Sequence, residues 1–554
     1  MRKYILLIAI VFLATTMVIA QSNSKEIKSW QVDKFGLFIH WGPVSLKGTE
    51  ISWSRKSDPE RQSSQIWKNT HGIIPFQEYD SLYKKFNPVQ FDAEQWVQIA
   101  KDAGMKYVVF TTKHHDGFCN FDSKYTDYKI TSSLSPYGKD IVKQLSDACH
   151  KAGLKLGYYY SQPDWHHPDF FNGDRHEKYV EYFHNQVREL CTNYGKVDII
   201  WFDGLGVPAK DWQAEKLLKM IRELQPGVII NNRAGLPADL DTPEQVIGSF
   251  QIDRPWESCI TIGDQWAYKP NDRVKSKKQC IQTLVQVAGG DGNLLFNVGP
   301  MPDGRIEPWQ VERLKEMGDW LRKYGRSIYG TKGGPFKPGE YGASTHKGNV
   351  IYLHVFNWSG EKLVLPAIGR KIKKTVVLTG GKADIDQTGN EIRIGLDLKY
   401  QQYVDTIIEL TVDGDAGEIA PVNVASQSVA FNKPVKASNV HLNDKNYSAE
   451  KAVDDDLTTR WATDTGTKEA WLEIDLQKSV KISSALIMQE CGHRIKKYQL
   501  EKFTNDKWEN FYYSDNMQIK NLVKFEPVVA RRIRLNILEA SEGPTISEFQ
   551  VFEP

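Results

Sequence analysis

The sequence predicts an α/β chain in which a (β/α)8-type barrel is followed by two β-sandwich domains. Three observations carry this reading. Apolar runs alternate with helical periodicity from Lys34 to about Tyr329. After Gly330 short alternating segments separated by Gly-rich turns replace that pattern. Residues 430–554 then repeat the all-β texture behind a second turn-rich break.

In chain order, the predicted strands and helices pair as follows. The run from Phe35 to Ile39 precedes an amphipathic stretch from Phe91 to Ala103, and Tyr107 to Phe110 precedes Ile141 to Ala152. Leu154 to Tyr159 is followed by Tyr179 to Tyr194, Val197 to Phe202 by Ala214 to Leu224, and, beyond Val228 to Ile230, Leu294 to Phe296 by Val311 to Tyr324. Strands that are apolar throughout, each followed by a helix, predict a parallel sheet covered on its outer face. The recurrence of such units over ~300 residues favours a barrel over an open doubly wound sheet. No GxGxxG turn follows the first strand, so a dinucleotide site loses its main support. The barrel is assigned to residues 27–332. Val350 to Val355 and Thr406 to Leu410 predict a small antiparallel sandwich over 333–415. Asp413 to Gly417 reads as a linker, and 430–554 as a separate β-sandwich.

Length and charge narrow the function. At ~150 residues per domain, 554 residues make three to four domains, each able to bury its own core. Seventy-one Lys and Arg against 69 Asp and Glu create no polycationic field for nucleic acid or anionic lipid, so a neutral partner is expected. The 16 Trp suit sugar faces as well as cores. Met1-Arg2-Lys3, the apolar run from Tyr4 to Val18 and the small Ala20 before polar Gln21 predict a secretory signal peptide over residues 1–20, cut near Ala20, and hence an exported protein. No later stretch reaches the ~20 apolar residues of a membrane helix. The six Cys form no CxxC pair and read mostly as buried thiols, with one or two disulfides open in an oxidising compartment.

Barrel chemistry gathers at the C-terminal ends of the strands. There the sequence places His40, the pair His114 and His115, Tyr160, Asp203 and Arg233. Singly, each has an ordinary structural explanation; together they converge on one rim. Asp203 follows an apolar strand directly and precedes Gly204, which would let a substrate approach the backbone. The competing reading of Asp203 is a plain Asp-Gly turn. A metal hydrolase is a further alternative, since His40, His114, His115 and Asp203 are all ligand types. Adjacent strand residues point to opposite faces, however, so His114 and His115 would need a bulge to share one ion. HxH and HExxH spacings are absent, and no active-site metal and no cofactor are expected.

Five motifs in order, Lys34 to Gly42 (KFGLFIHWG), Lys113 to Phe118 (KHHDGF), Gly157 to Ser161 (GYYYS), Trp201 to Gly204 (WFDG) and Gly292 to Pro300 (GNLLFNVGP), resemble the α-L-fucosidases of glycoside hydrolase family 29 over residues 27 to about 335. The resemblance implies exo-hydrolysis of terminal α-L-fucose with retention through a covalent fucosyl-enzyme, with Asp203 as nucleophile. It implies Glu244, in Asp241-Thr242-Pro243-Glu244-Gln245, as acid/base, with Glu257 as the alternative. It further implies that His40, His114, His115, Tyr160 and Arg233 hold the sugar hydroxyls and ring oxygen. Trp53 and Trp266 would pack on its apolar side, and Glu50 would add a hydroxyl contact. The expected partners are fucosylated glycans, with α1,3/1,4 linkages first. A barrel that has lost activity and only binds carbohydrate is the alternative from another class.

In the tail, Asn432 to Val435, Tyr447 to Asp454, Thr459 to Trp461 and Trp471 to Leu476 resemble the discoidin-type sandwich, which includes galactose-binding family 32 carbohydrate-binding modules. The resemblance implies a carbohydrate-binding module over 430–554. The acidic turn from Asp454 to Asp456 could hold a structural calcium ion or be an ordinary turn.

Overall fold

Seven short strands of near-continuous apolar sequence form one curled parallel sheet. They are β1 Phe35–Ile39, β2 Tyr107–Lys113, β3 Lys155–Tyr160, β4 Ile199–Phe202, β5 Ile229–Ile230, β6 Glu257–Thr261 and β7 Asn293–Val298, in the order β5-β4-β3-β2-β1-β7-β6. The computed structural model describes residues 25–58, 72–170, 173–358, 362–424, 428–454, 459–489 and 494–554. The leader read over residues 1–20, Cys491 and Asp456 lie outside the described residues.

The two edges of the sheet, β5 and β6, are joined by an eighth segment with no strand-like sequence pattern. The backbone of Asp239 donates to Ile230 and that of Asn232 to Leu240 on one side. On the other, Asp241 donates to Pro255, Cys259 to Pro243 and Gln245 to Cys259. Residues 239–245 therefore act as the last stave of the barrel, and Glu244 rides on it. The βα repeat is incomplete, because only a short 3-10 turn, Asn232–Ala234, separates β5 from this stave. No helix separates the stave from β6 among the described residues. The remaining strands are backed by the helices Ala93–Asp102, Ile141–Ala152, His176–Asn193, Ala214–Leu224, Lys277–Gly289 and Pro308–Tyr324. Their starts are set locally: Asp92 and Asp140 accept the N3 backbone N–H, and Ser276 with Gln279 forms a full capping box.

Strand alternation sorts side chains into two layers. Phe38, Tyr107, Val109, Tyr159, Trp201, Cys259 and Leu295 fill the barrel interior as one buried cluster. Leu37, Val108, Tyr158, Tyr160, Ile200 and Phe202 face outward and pack with helical residues such as Trp96, Leu145, Phe183 and Leu217. Gly36 keeps the inner layer possible, since a Cβ there would sit 2.2 Å from the Tyr107 ring.

Within the same unit, the chain continues into a five-stranded antiparallel sheet ordered β12-β15-β10-β9-β8 and a three-stranded sheet ordered β11-β14-β13. They are built from β8 Lys332–Gly333, β9 Gly342–Lys347, β10 Val350–Val355, β11 Lys362–Pro366, β12 Ile372–Val377, β13 Asp384–Thr388, β14 Glu391–Gly395 and β15 Thr406–Val412. The stretch read as a linker is part of this body: Asp413 donates its backbone N–H to Lys371, and Ala416 to Gly348. The division between compact units falls at Val422/Asn423 instead.

The second unit comprises Asn423–Pro554 and Gly339–Tyr341. It is an antiparallel sheet system ordered β17-β22-β18-β21-β19-β20, with β16 pairing β18. Its strands are β16 Val435–Ala437, β17 Trp461–Ala462, β18 Ala470–Gln489, β19 Ile495–Thr504, β20 Lys507–Ser514, β21 Lys520–Ala540 and β22 Thr545–Phe552. It has its own core, in which Trp461 is fully buried among Leu472, Ile474, Ile533 and Phe549. Trp471 is half-buried on the other face, with the Arg534 guanidinium 4.7 Å above its ring. Asp454 accepts from Lys451 Nζ at 3.2 Å and Thr459 Oγ1 at 2.9 Å.

Candidate active site

One cavity opens at the C-terminal ends of the strands, with about 380 Å³ free of protein atoms. It is lined by His40, Trp53, His114, His115, Asp203, Arg233, Glu244 and Trp266, all named from the sequence, and by Phe38, Tyr159, Trp201, Leu205 and Cys259, which were not.

Asp203 lies two residues beyond Trp201 on the inward register of β4. Its Oδ2 accepts the Tyr159 hydroxyl at 2.8 Å and lies 3.6 Å from His115 Nε2, and its Oδ1 accepts Arg233 Nη1 at 3.2 Å. Burial by itself would raise the carboxyl's pKa, but His115, Arg233 and the Tyr159 hydrogen bond outweigh it and hold the group below the usual range. Desolvation pushes His115 itself down to about 4, so near neutral pH the lasting attraction comes from Arg233. Gly204 is needed for a different reason from the one expected: a Cβ there would meet the Arg233 carbonyl at 2.5 Å, so protein backbone occupies the close approach.

Arg233 organises the rim. Nε donates to Thr242 Oγ1 and Nη2 to the Thr242 carbonyl, both at 2.9 Å, while Nη1 donates to Glu244 Oε2 at 2.7 Å. The guanidinium lies 4.6 Å from the Trp201 ring centroid, a cation–π contact. One nitrogen thus bridges Asp203 and Glu244, whose bonded oxygens are no farther apart than its 3.2 and 2.7 Å bonds laid end to end.

His114 and His115 both reach the cavity. A register irregularity between Thr111 and Lys113 breaks the alternation of β2, and the chain turns at Gly117, where φ is +82°. The two rings lie 4.2 Å apart. Burial lowers the pKa of all three cavity imidazoles, that of His40 to about 3. Ligand atoms of His114, His115 and Asp203 fall within 4.8 Å of one another, close enough to hold a metal ion.

Three of the expected residues take other places. Tyr160 faces the helical layer, donates its hydroxyl to Gln186 Oε1 at 2.6 Å and stacks on Phe183. The tyrosine in the cavity is Tyr159, because alternation turns the penultimate residue of β3 inward; Phe38, two before His40, marks the same register on β1. Glu50 is not among the lining residues. Its carboxylate accepts the backbone N–H groups of Ile51, Trp266 and Ala267 at 3.0, 2.9 and 3.1 Å, which fixes the Trp266 loop. Glu257 is fully buried behind the cavity wall, accepting from Trp201 Nε1 at 3.2 Å and from the Tyr107 hydroxyl.

Desolvation raises the Glu257 pKa to about 7, against partial relief from Tyr107 and Trp201. A raised carboxyl pKa contributes stability that is complete below the unfolded-state value and is lost as pH climbs through the folded one. Glu257→Gln, which keeps a neutral hydrogen-bonding group, is therefore expected to be less sensitive to alkali than the wild type. The difference in unfolding free energy should open between about pH 4.5 and 7 and reach on the order of 2–3 kcal/mol. Parallel denaturant titrations from pH 4 to 8 that track each other would show Glu257 to be ionised in the folded chain.

The comparisons with known proteins agree with this architecture. Residues 14–326 match the family model described as Alpha-L-fucosidase, and residues 434–549 match the F5/8 type C domain. Alpha-L-fucosidase isoenzyme 1 from Paenibacillus thiaminolyticus is similar at 36% identity and TM-score 0.63, over 71% of this chain and 100% of that one. A GH29 alpha-L-fucosidase from Bacteroides thetaiotaomicron, solved as a trapped covalent intermediate with 2-fluoro-fucosyl fluoride, is similar at 29% identity and TM-score 0.62, over 70% of this chain and 96% of that one. Tissue alpha-L-fucosidase of Macaca fascicularis is 29% identical over 362 residues, 61% of this chain and 76% of its own length. This chain carries an F5/8 type C domain C-terminal to its barrel in sequence and belongs to the alpha-L-fucosidase family, GH29, a family of glycoside hydrolases.

Proposed function

We propose that the protein is a retaining exo-α-L-fucosidase that removes terminal α-L-fucose from oligosaccharides or glycoconjugates, with Asp203 as nucleophile and Glu244 as acid/base. The observation that carries this reading is the pair of carboxylates sharing Arg233 Nη1 at the mouth of a small, aromatic-walled cavity. A retaining pair stands ~5–5.5 Å apart and an inverting pair, which must leave room for a water, ~6.5–9.5 Å; two oxygens no farther apart than bonds of 3.2 and 2.7 Å laid end to end fall short of the inverting range. Asp203 is buried and held ionised, as a nucleophile must be. Glu244, its side chain 41% exposed, has access to solvent protons and to the leaving group. Asp203 Oδ attacks the anomeric carbon while Glu244 gives its proton to the departing oxygen; water, deprotonated by Glu244, then releases fucose from the ester.

The covalent intermediate of the Bacteroides relative supports retention here. The test is intact and peptide mass spectrometry after incubation with 2-fluoro-fucosyl fluoride: one fluorofucosyl adduct, on the peptide containing Asp203, is expected. An adduct elsewhere, or inverted fucose as the first product seen by NMR, would overturn the assignment. For linkage the reading is α1,3/1,4-fucose, to be checked with α1,2-, α1,3-, α1,4- and α1,6-fucosylated oligosaccharides beside an aryl fucoside. Export rests on the leader over residues 1–20.

A metal-dependent hydrolase remains the second reading, on the closeness of His114, His115 and Asp203. Dialysis against chelator is expected to leave turnover unchanged. Loss of activity with recovery on adding zinc would favour the metal.

The separately packed core of the second unit, and its sugar-module resemblance, support a substrate-capturing role for residues 430–554. Deleting them is expected to leave kcat on a small aryl fucoside nearly unchanged and to lower the rate on glycoprotein, where effective concentration matters. Equal losses on both substrates would make the domain a structural buttress.

A further inference from the structure

Each imidazole of the cavity has its Nδ1 tied to a group whose hydrogen-bonding capacity is already partly used. His40 Nδ1 lies 2.7 Å from Asn297 Oδ1, and the other end of that amide donates from Nδ2 to the Trp266 carbonyl at 2.7 Å. A carbonyl can only accept, so the amide orientation is determined and His40 must carry its proton on Nδ1. His115 Nδ1 lies 2.6 Å from Ser161 Oγ, whose single hydrogen goes to the Pro163 carbonyl at 2.6 Å. Ser161 is therefore an acceptor toward the ring, and His115 too is protonated on Nδ1.

His114 is opposite. Its Nδ1 lies 2.6 Å from Ser52 Oγ, which already accepts the Asp116 backbone N–H at 2.8 Å. The hydroxyl hydrogen of Ser52 has His114 Nδ1 as its acceptor, with no other among the hydrogen bonds of the described residues. His114 thus carries its proton on Nε2. Ser52 is held in this role by a closed ring: its N–H donates to the Tyr79 hydroxyl at 2.8 Å, and Tyr79 donates to Asp116 Oδ2 at 2.7 Å. The ring also holds Ser52 at φ +58°, a left-handed conformation that a non-glycine residue adopts only under constraint.

We infer that Ser52, Ser161 and Asn297 are positioning residues that set the three imidazoles in unlike tautomers, so that the cavity offers one ring N–H, from His114, and two bare ring nitrogens, from His40 and His115. The inference rests on the reading of this cavity as the fucose site. Burial keeps all three rings neutral near pH 7, which is the condition under which a tautomer matters. Two sugar hydroxyls are then required to donate and one to accept. A site whose buried donors and acceptors are fixed rejects a ligand that cannot complete them.

The test is the long-range 1H–15N spectrum of the full chain labelled with 15N-histidine at pH 7, with His40→Gln, His114→Gln and His115→Gln used to assign signals. Protonated Nε2 in His114 and protonated Nδ1 in His40 and His115 are expected. His114 protonated on Nδ1, or either of the others on Nε2, would overturn the inference. In Ser52→Ala the His114 signals should move toward the Nδ1–H form, with kcat/KM for an aryl fucoside about tenfold lower, chiefly through KM. Unchanged tautomers in Ser52→Ala and in Ser161→Ala would remove the serines from the role. Should the tautomers be as expected while Asp203→Ala retains full turnover, the positioning stands and the fucosidase assignment of the cavity falls.

Discussion

Asp203→Ala is expected to lower kcat/KM on an aryl fucoside by on the order of 10⁴-fold or more, since it removes the atom that would form the glycosyl ester. Asp203→Asn should behave alike while preserving the acceptor for Tyr159, which otherwise bonds the carboxylate at 2.8 Å. Loss of the charge leaves Arg233 paired with Glu244 and Thr242, so thermal unfolding should move by only a few degrees. Azide, small enough for the space left by alanine, should restore part of the rate. Because azide displaces the aglycone in a single step, the product should be the inverted fucosyl azide, in contrast to the retained configuration that the proposed double displacement gives. Near-normal turnover by the alanine variant, or retained azide product, would take the nucleophile role from Asp203.

The second large effect separates the two candidate acids. Glu244→Ala is expected to cost 10²–10⁴-fold on oligosaccharides, whose leaving alcohol needs a proton, and far less on fucosyl fluoride or activated aryl fucosides. Glu257→Ala should give no such leaving-group pattern. Its carboxyl sits behind Trp201 and bonds that indole and Tyr107, so its loss disturbs the wall on which Arg233 rests and lowers all substrates alike. If Glu257→Ala shows the leaving-group pattern and Glu244→Ala does not, the two roles must be exchanged.

The barrel was legible in the sequence because its strands are apolar on both faces, a pattern that only a covered parallel sheet requires. Its eighth stave was not. Residues 239–245 contain Asp, Pro and Glu and are held by backbone hydrogen bonds to Ile230, Asn232, Pro255 and Cys259, which no periodicity announces. That stave is what sets Glu244 beside Arg233. The break between the units was misplaced for a similar reason: turn-forming composition at Asp413 to Gly417 says that the chain bends, and only the pairing with Lys371 and Gly348 says that it stays in the same body.

For the cavity, which strand ends carry polar groups can be read along the chain, and with them His40, His114, His115, Asp203 and Arg233. What the sequence could not decide was facing. Tyr159 and Tyr160 are chemically identical neighbours, and their assignment to cavity and helical layer follows from the register of β3 between β2 and β4. Glu50, Glu244 and Glu257 are likewise one residue type, made into a loop clamp, a rim carboxyl and a buried acid of raised pKa by what surrounds each of them. Side-chain chemistry is a local property and is read directly from the chain. Direction, desolvation and the identity of a hydrogen-bond partner are set by residues distant in sequence, as between Ser52 and His114 or His40 and Asn297, and only the tertiary structure brings those together.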